Sequence, residues 1–145
     1  MNQEHTYIRV GAGAVIIKDN KTLLVKRRGS HAEGCYGSFG GHVEYGETPI
    51  EACKREVQEE LGIEVGNFQF VSCTNMIKYG KHYLDVSFVV ELVSGEPTIM
   101  GPDKIESMGW YDLNNLPEPL FEPVRIVLEA LKSGEKYFEV EEDKS

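Results

Sequence analysis

The stretch "GHVEYGETPIEACKREVQEELGI", residues 41–63, passes from a glycine-led loop into a single helix and stops at another glycine. Thr48 and Glu51 have the T-x-x-E spacing of a capping box, and Pro49 stands at the first helical position, where a missing N–H costs nothing. Gly62 follows Leu61 as a left-handed stop, so the sequence predicts a helix of about three and a half turns starting near residue 49. At about 100° per residue, Ile50, Cys53, Val57 and Leu61 share an arc of roughly 80°, the expected buried stripe. Glu56, Glu59 and Glu60 share a neighbouring arc of roughly 100°, and the small Ala52 a turn earlier on that arc leaves room in front of them.

Three carboxylates at i, i+3 and i+4 repel one another by a few tenths of a kcal/mol per pair in water, and by more when partly buried. A divalent cation reverses the sign of that cost. The ligands are oxygens with no matching His or Cys set nearby, which points to a hard ion, Mg²⁺ or Mn²⁺. Arg55, four residues before Glu59, is placed to hold that carboxylate or to reach a phosphate.

The rest of the chain is sized and composed as one domain, residues 1–145, with 41% hydrophobic and 27% charged residues around a net charge of −9. No run approaches 18 apolar residues and the N-terminus shows no signal-peptide pattern, so a soluble, cytoplasmic protein without membrane contact is expected. Cys35, Cys53 and Cys73 are odd in number and lack C-x-x-C spacing, which predicts reduced thiols. Net acidity disfavours a nucleic-acid partner, whose backbone needs a Lys and Arg surface. Residues 7–28 read as a hairpin turning at Asp19–Asn20, "GSHAEGCYGSFGGH" as a loop, and 68–74, 82–92 and "MGWYDL" as strands. The segment "PVRIVLEALKSG" predicts a second helix packed through Val124, Val127, Leu128 and Leu131, and the tail from about 139 to 145 is expected to be disordered.

Gly41, Glu47, Arg55, Glu56, Val57, Glu59, Glu60, Gly62 and Ile63 have the spacing Gx5Ex7REUxEExGU, U being a bulky aliphatic residue, and this resembles the signature of the Nudix hydrolases at every defined position. The resemblance implies an α+β fold: an α/β/α sandwich with a central mixed β-sheet, whose box, 41–63, is a loop-helix-loop. It implies metal ligation by Glu56, Glu59 and Glu60 with the Gly41 carbonyl, with Glu59 also a candidate base, and a role for Arg55 in orienting a catalytic glutamate. Glu47 would help through water or by tying down the helix. Many members add an acid from a later loop, for which Glu106 is the choice here and Asp103 the second. The implied reaction is attack of metal-activated water on a phosphorus of a nucleoside diphosphate linked to a group X.

For the substrate, residues 26–47 look similar to the MutT-like nucleoside-triphosphate diphosphatases. Lys26, Arg27 and Arg28 would meet phosphates, His31 and either Tyr36 or Phe39 would contact the base, and Gly40 is a further expected substrate-binding residue. Ser38-Phe39-Gly40-Gly41 departs from the family's common Leu-Pro-Gly-Gly. Lys78 stands where many ADP-ribose pyrophosphatases have proline, and Tyr79 lies near the tyrosine of some dinucleoside-polyphosphate hydrolases. The expected activity is conversion of a (deoxy)nucleoside triphosphate to monophosphate and pyrophosphate. ADP-ribose, nucleotide-sugar or dinucleoside-polyphosphate hydrolysis, or a non-catalytic nucleotide sensor, are the alternatives, and a homodimer through sheet edges or terminal strands is an expected assembly.

Overall fold

The computed structural model describes residues 7–29, 32–78 and 80–141. In chain order the elements are β1 (Ile8–Lys18), β2 (Lys21–Arg27), β3 (Tyr36–Gly37), β4 (Phe39–His42), α1 (Pro49–Leu61), β5 (Glu64–Lys78), β6 (Lys81–Ser94), β7 (Ile105–Asp112), α2 (Glu122–Ser133) and β8 (Tyr137–Glu141). Asp19 and Asn20 both have positive φ, 52° and 63°, the turn geometry that matches the right-handed twist of a hairpin. The hairpin is short. After Ile17↔Thr22 and Lys18↔Lys21 the strands part: β1 runs parallel to β6 and antiparallel to β4, while β2 pairs with β3 and β7. The sheet is therefore mixed, in the order β3-β2-β1-β6-β5-β8.

Side-chain alternation along β1 assigns the two faces. Ala12, Ala14 and Ile16 enter a core with Ala52, Cys53, Val57 and Leu61 of α1. Val15 enters the opposite core with Val124, Val127 and Leu128 of α2. One helix on each face of a mixed sheet is the expected α/β/α sandwich.

The helix start is as predicted. Glu51 N–H donates to Thr48 Oγ1 at 3.1 Å, Thr48 N–H donates to the Glu51 carboxylate at 2.8 Å, and Gly62 closes the helix at φ 68°. Thr48→Ala is expected to cost about 1 kcal/mol, read as a lower urea midpoint with unchanged slope.

Several expectations need correction. Ala52 is fully buried and Ile50 is 37% exposed, because α1 comes down closely on β1 and β4, where a methyl fits and a larger side chain does not. On α2 the buried face includes Ile126 and Ala130, while Leu131 is 39% exposed. The Gly/Ser-rich loop contains β3 and β4, and the glycines of β4, Gly40 and Gly41, let it lie against its neighbours at close range. Residues 139–141 belong to β8, a strand added beside β5 with Phe138 half-buried, and 142–145 lie outside the described residues.

Candidate active site

The core of the site is a clamp. Arg55 Nε and one terminal nitrogen donate to the two oxygens of Glu47, at 2.7 and 3.1 Å. Its other terminal nitrogen donates to Glu56 Oε1 at 2.9 Å, and a further bond at 3.1 Å reaches the His42 carbonyl. Glu59 is only 3.7 Å from the guanidinium and 60% exposed, so the arginine serves Glu47 and Glu56 first. This is the bidentate geometry that a guanidinium supplies and an ammonium cannot. The Arg55 guanidinium holds the Glu47 carboxyl below its usual range, and Glu47 raises the arginine in return.

Glu56 lies directly against the backbone of β4. A Cβ on Gly41 would stand 2.6 Å from Glu56 Oε1, so only glycine permits this approach. One turn on, burial together with the negative charges of Glu56 and Glu59 pushes the Glu60 carboxyl up to about 7, with Lys104 and Arg27 pulling it back. Among the described residues no three acidic, His or Cys side chains are already gathered around a common point, since Arg55 engages Glu56 and Glu59 faces solvent. The donor set nonetheless fits a hard dication: three carboxylates within two turns, a backbone carbonyl strand beside them, and one carboxyl whose ionisation its neighbours oppose.

The NUDIX domain description matches residues 7–131. The chain belongs to the Nudix hydrolase family. It is 33% identical over 125 residues to the ADP-ribose pyrophosphatase of Methanocaldococcus jannaschii, which covers 85% of this chain and 73% of that protein. It is 32% identical over 114 residues to the NAD-capped RNA hydrolase NudC of Pseudomonas aeruginosa, 78% of this chain but 40% of that protein; the chain thus spans about two fifths of that longer relative. Among solved structures, a MutT NUDIX hydrolase from Burkholderia pseudomallei superposes with a TM-score of 0.82 at 37% identity, covering 86% of this chain and 98% of the other. The protein is a Nudix hydrolase acting on pyrophosphate bonds. Nudix hydrolases generally need a divalent metal such as Mg²⁺.

The other residues singled out in the sequence scatter around this Nudix helix. Glu106 sits at a β-bulge opposite Lys26 and Arg27 and is held by Lys26 Nζ at 3.1 Å; its engaged partner is that lysine. Arg28 donates to the Pro102 carbonyl at 2.9 Å, which ties it to the loop that carries Asp103. The Phe39 ring is a correction: it is 2% exposed and packed in the α1-side core, because β4 turns residue 39 towards the Nudix helix and residue 40 away from it. His31 and Tyr79 lie outside the described residues.

Gly40 faces a cavity of about 310 Å³ between the sheet and α2. Its lining includes Gly11, Gly13, His42, Tyr83 and Asp85, none of which was singled out from the sequence. His42 Nε2 and Tyr83 Oη are 3.0 Å apart with tilted rings, and burial with the charges of Arg9 and Lys81 lowers the imidazole. Two signals were available. "VGAGAV" places glycines on alternate positions of one strand, and "YLDVSFVV" puts a carboxylate inside an apolar strand. No helix is long and apolar enough to cross a membrane among the described residues.

Proposed function

We propose that the protein hydrolyses a (deoxy)nucleoside triphosphate to the monophosphate and pyrophosphate, using Mg²⁺ or Mn²⁺. The observation that carries this reading is that β4 has the acidic helix face against Gly41 and the cavity against Gly40. A ligand of nucleotide length crossing that strand has its base on one side and its phosphates on the other. Glu56, Glu59, Glu60 and the Gly41 carbonyl would hold the cation. When bound, that cation lowers the pKa of water and neutralises charge that develops as the P–O bond breaks. Arg55 keeps Glu56 aimed, through the hydrogen bond at 2.9 Å. Arg27 and Lys104, whose charges act on Glu60, supply positive potential for the phosphate oxygens in an otherwise acidic protein. Glu59, exposed and free to turn, and Glu106, presented by its bulge, are the candidates to receive the proton of the attacking water.

The test is product analysis over a nucleotide panel with Mg²⁺ and with Mn²⁺. Equal amounts of monophosphate and pyrophosphate are expected, with none formed in EDTA; orthophosphate as the main product would refute the reading. A second reading, ADP-ribose hydrolysis, is favoured by the likeness to the Methanocaldococcus jannaschii protein named for that activity. A kcat/KM for ADP-ribose at least tenfold above that for every triphosphate would establish it instead.

A further inference from the structure

Among the described residues, the carboxylate of Asp85 is a charge that the reaction above does not use. It projects from β6 into the cavity, partly buried, and among the described residues it has no hydrogen-bond or ion-pair partner. Burial alone pushes its carboxyl up to about 6. The space it occupies is made by its neighbour in the sheet. Gly11 pairs with Asp85 in the parallel β1–β6 ladder, and a Cβ on Gly11 would collide with Asp85 Oδ1. Two positions along, Gly13 pairs with Ser87, and a Cβ there would lie 3.9 Å from the Ser87 hydroxyl. β1 has thus given up a side chain at Gly11, where one would meet this carboxylate, on the sheet face opposite the Nudix helix. A structural aspartate is hydrogen-bonded when buried, since an unpaired charge in such a place is costly. An aspartate left open to a cavity has its lone pairs available to a ligand.

We propose that this cavity takes the nucleobase and that Asp85 is the residue that reads it, its two carboxylate oxygens accepting two adjacent N–H groups. Among the common bases in their neutral forms, guanine alone presents such an edge, N1–H beside the 2-amino group. Adenine and cytosine offer one donor beside one acceptor, and thymine or uracil a single N–H between carbonyls. A carboxylate, acceptor at both oxygens, opposes a lone pair in each of those cases. His42 and Tyr83, hydrogen-bonded to one another at the same cavity, provide aromatic surface beside the base. The inference rests on the nucleotide reading above for its choice of ligand, and it goes beyond it in naming the base and the residue that selects it.

Calorimetry with 5′-GMP, 5′-IMP and 5′-AMP tests the assignment without turnover. The wild-type protein is expected to bind GMP at least tenfold more tightly than IMP, which lacks the 2-amino group, and than AMP. In Asp85→Asn one acceptor becomes a donor that meets a guanine N–H head-on, so GMP affinity should fall at least tenfold while AMP affinity holds or rises. Comparable wild-type affinities, no GMP binding at millimolar concentration, or an Asp85→Asn protein that keeps the GMP preference would each overturn the proposal. Should Asp85→Asn fail to fold, the wild-type comparison of GMP with IMP and N1-methyl-GMP decides alone. Steady-state rates with dGTP and dATP separate the two readings. A GMP preference without triphosphate hydrolysis sinks the proposed reaction and keeps the base assignment, while hydrolysis without base preference does the reverse.

Discussion

Glu60→Gln is expected to lower kcat/KM by about 10³-fold, the equivalent of about 4 kcal/mol of transition-state stabilisation, while making the cation-free protein more stable above neutral pH. Glutamine keeps the shape and gives up the charge, so a cation held in part by that carboxylate loses an anionic ligand. The stability effect has the opposite sign because the charge is unfavourable in the empty site. Burial first, and Glu56 second, raise the folded pKa to about 7 from 4.5. A carboxyl raised on folding binds more protons in the native state, so stability falls as pH climbs from about 4.5 to about 7 and stays reduced above it. The variant lacks that loss and should gain about 1–3 kcal/mol at pH 8 and little at pH 5. The measurements are steady-state turnover with Mg²⁺, calorimetric titration with Mn²⁺, and thermal melts in EDTA at both pH values. Turnover and Mn²⁺ affinity within twofold of wild type would remove Glu60 from the ligand set.

The contrast between what was readable in the sequence and what was not follows the range of the interactions. Helix α1 was legible because its signals are local: Thr48, Glu51, Pro49 and Gly62 lie within one contiguous segment and each acts on its own backbone. Periodicity likewise put Glu56, Glu59 and Glu60 on one arc. It did not reveal that Arg55 would prefer Glu47, eight residues back, to Glu59 on its own helix face, because that choice depends on where β4 brings the preceding loop. Phe39 looked like a stacking residue next to two glycines, but strand alternation against Ala14 turns its ring into the core. Asp85, although a carboxylate inside an apolar strand, was passed over for a related reason. Its setting comes from standing opposite Gly11, a residue 74 positions earlier, in a parallel ladder that no local pattern announces. Glu106 is intermediate: its place near a short strand was readable, whereas the bulge that aims it at Lys26 was not.

Arg55→Lys should reduce kcat about 10²-fold, in the range seen when the group that orients a metal ligand is lost, with KM changed much less. The substitution keeps a positive charge near Glu47 and Glu56, so a purely electrostatic role would survive it. The geometry demands more than charge: two parallel bonds to Glu47, one to Glu56 and one to the His42 carbonyl are made by a single planar group. An ammonium on a flexible stem can satisfy one or two of these, leaving Glu56 to swing away from Gly41 and the loop 42–47 less firmly tied to the helix. A second readout distinguishes the clamp from mere packing. Glu47 has a depressed carboxyl because of Arg55, so its contribution to stability is complete above about 4.5 and is lost as pH falls through the lower folded value. Weakening the clamp raises that folded value towards the unfolded one, and acid unfolding of Arg55→Lys should begin at a higher pH than in the wild type. In Glu47→Gln the same partner is already gone, so adding Arg55→Lys should shift the acid limb little further, a non-additivity that a double-mutant cycle measures directly. If Arg55→Lys keeps kcat within twofold, or if the two substitutions add independently, the guanidinium is not what holds the glutamates in register for catalysis.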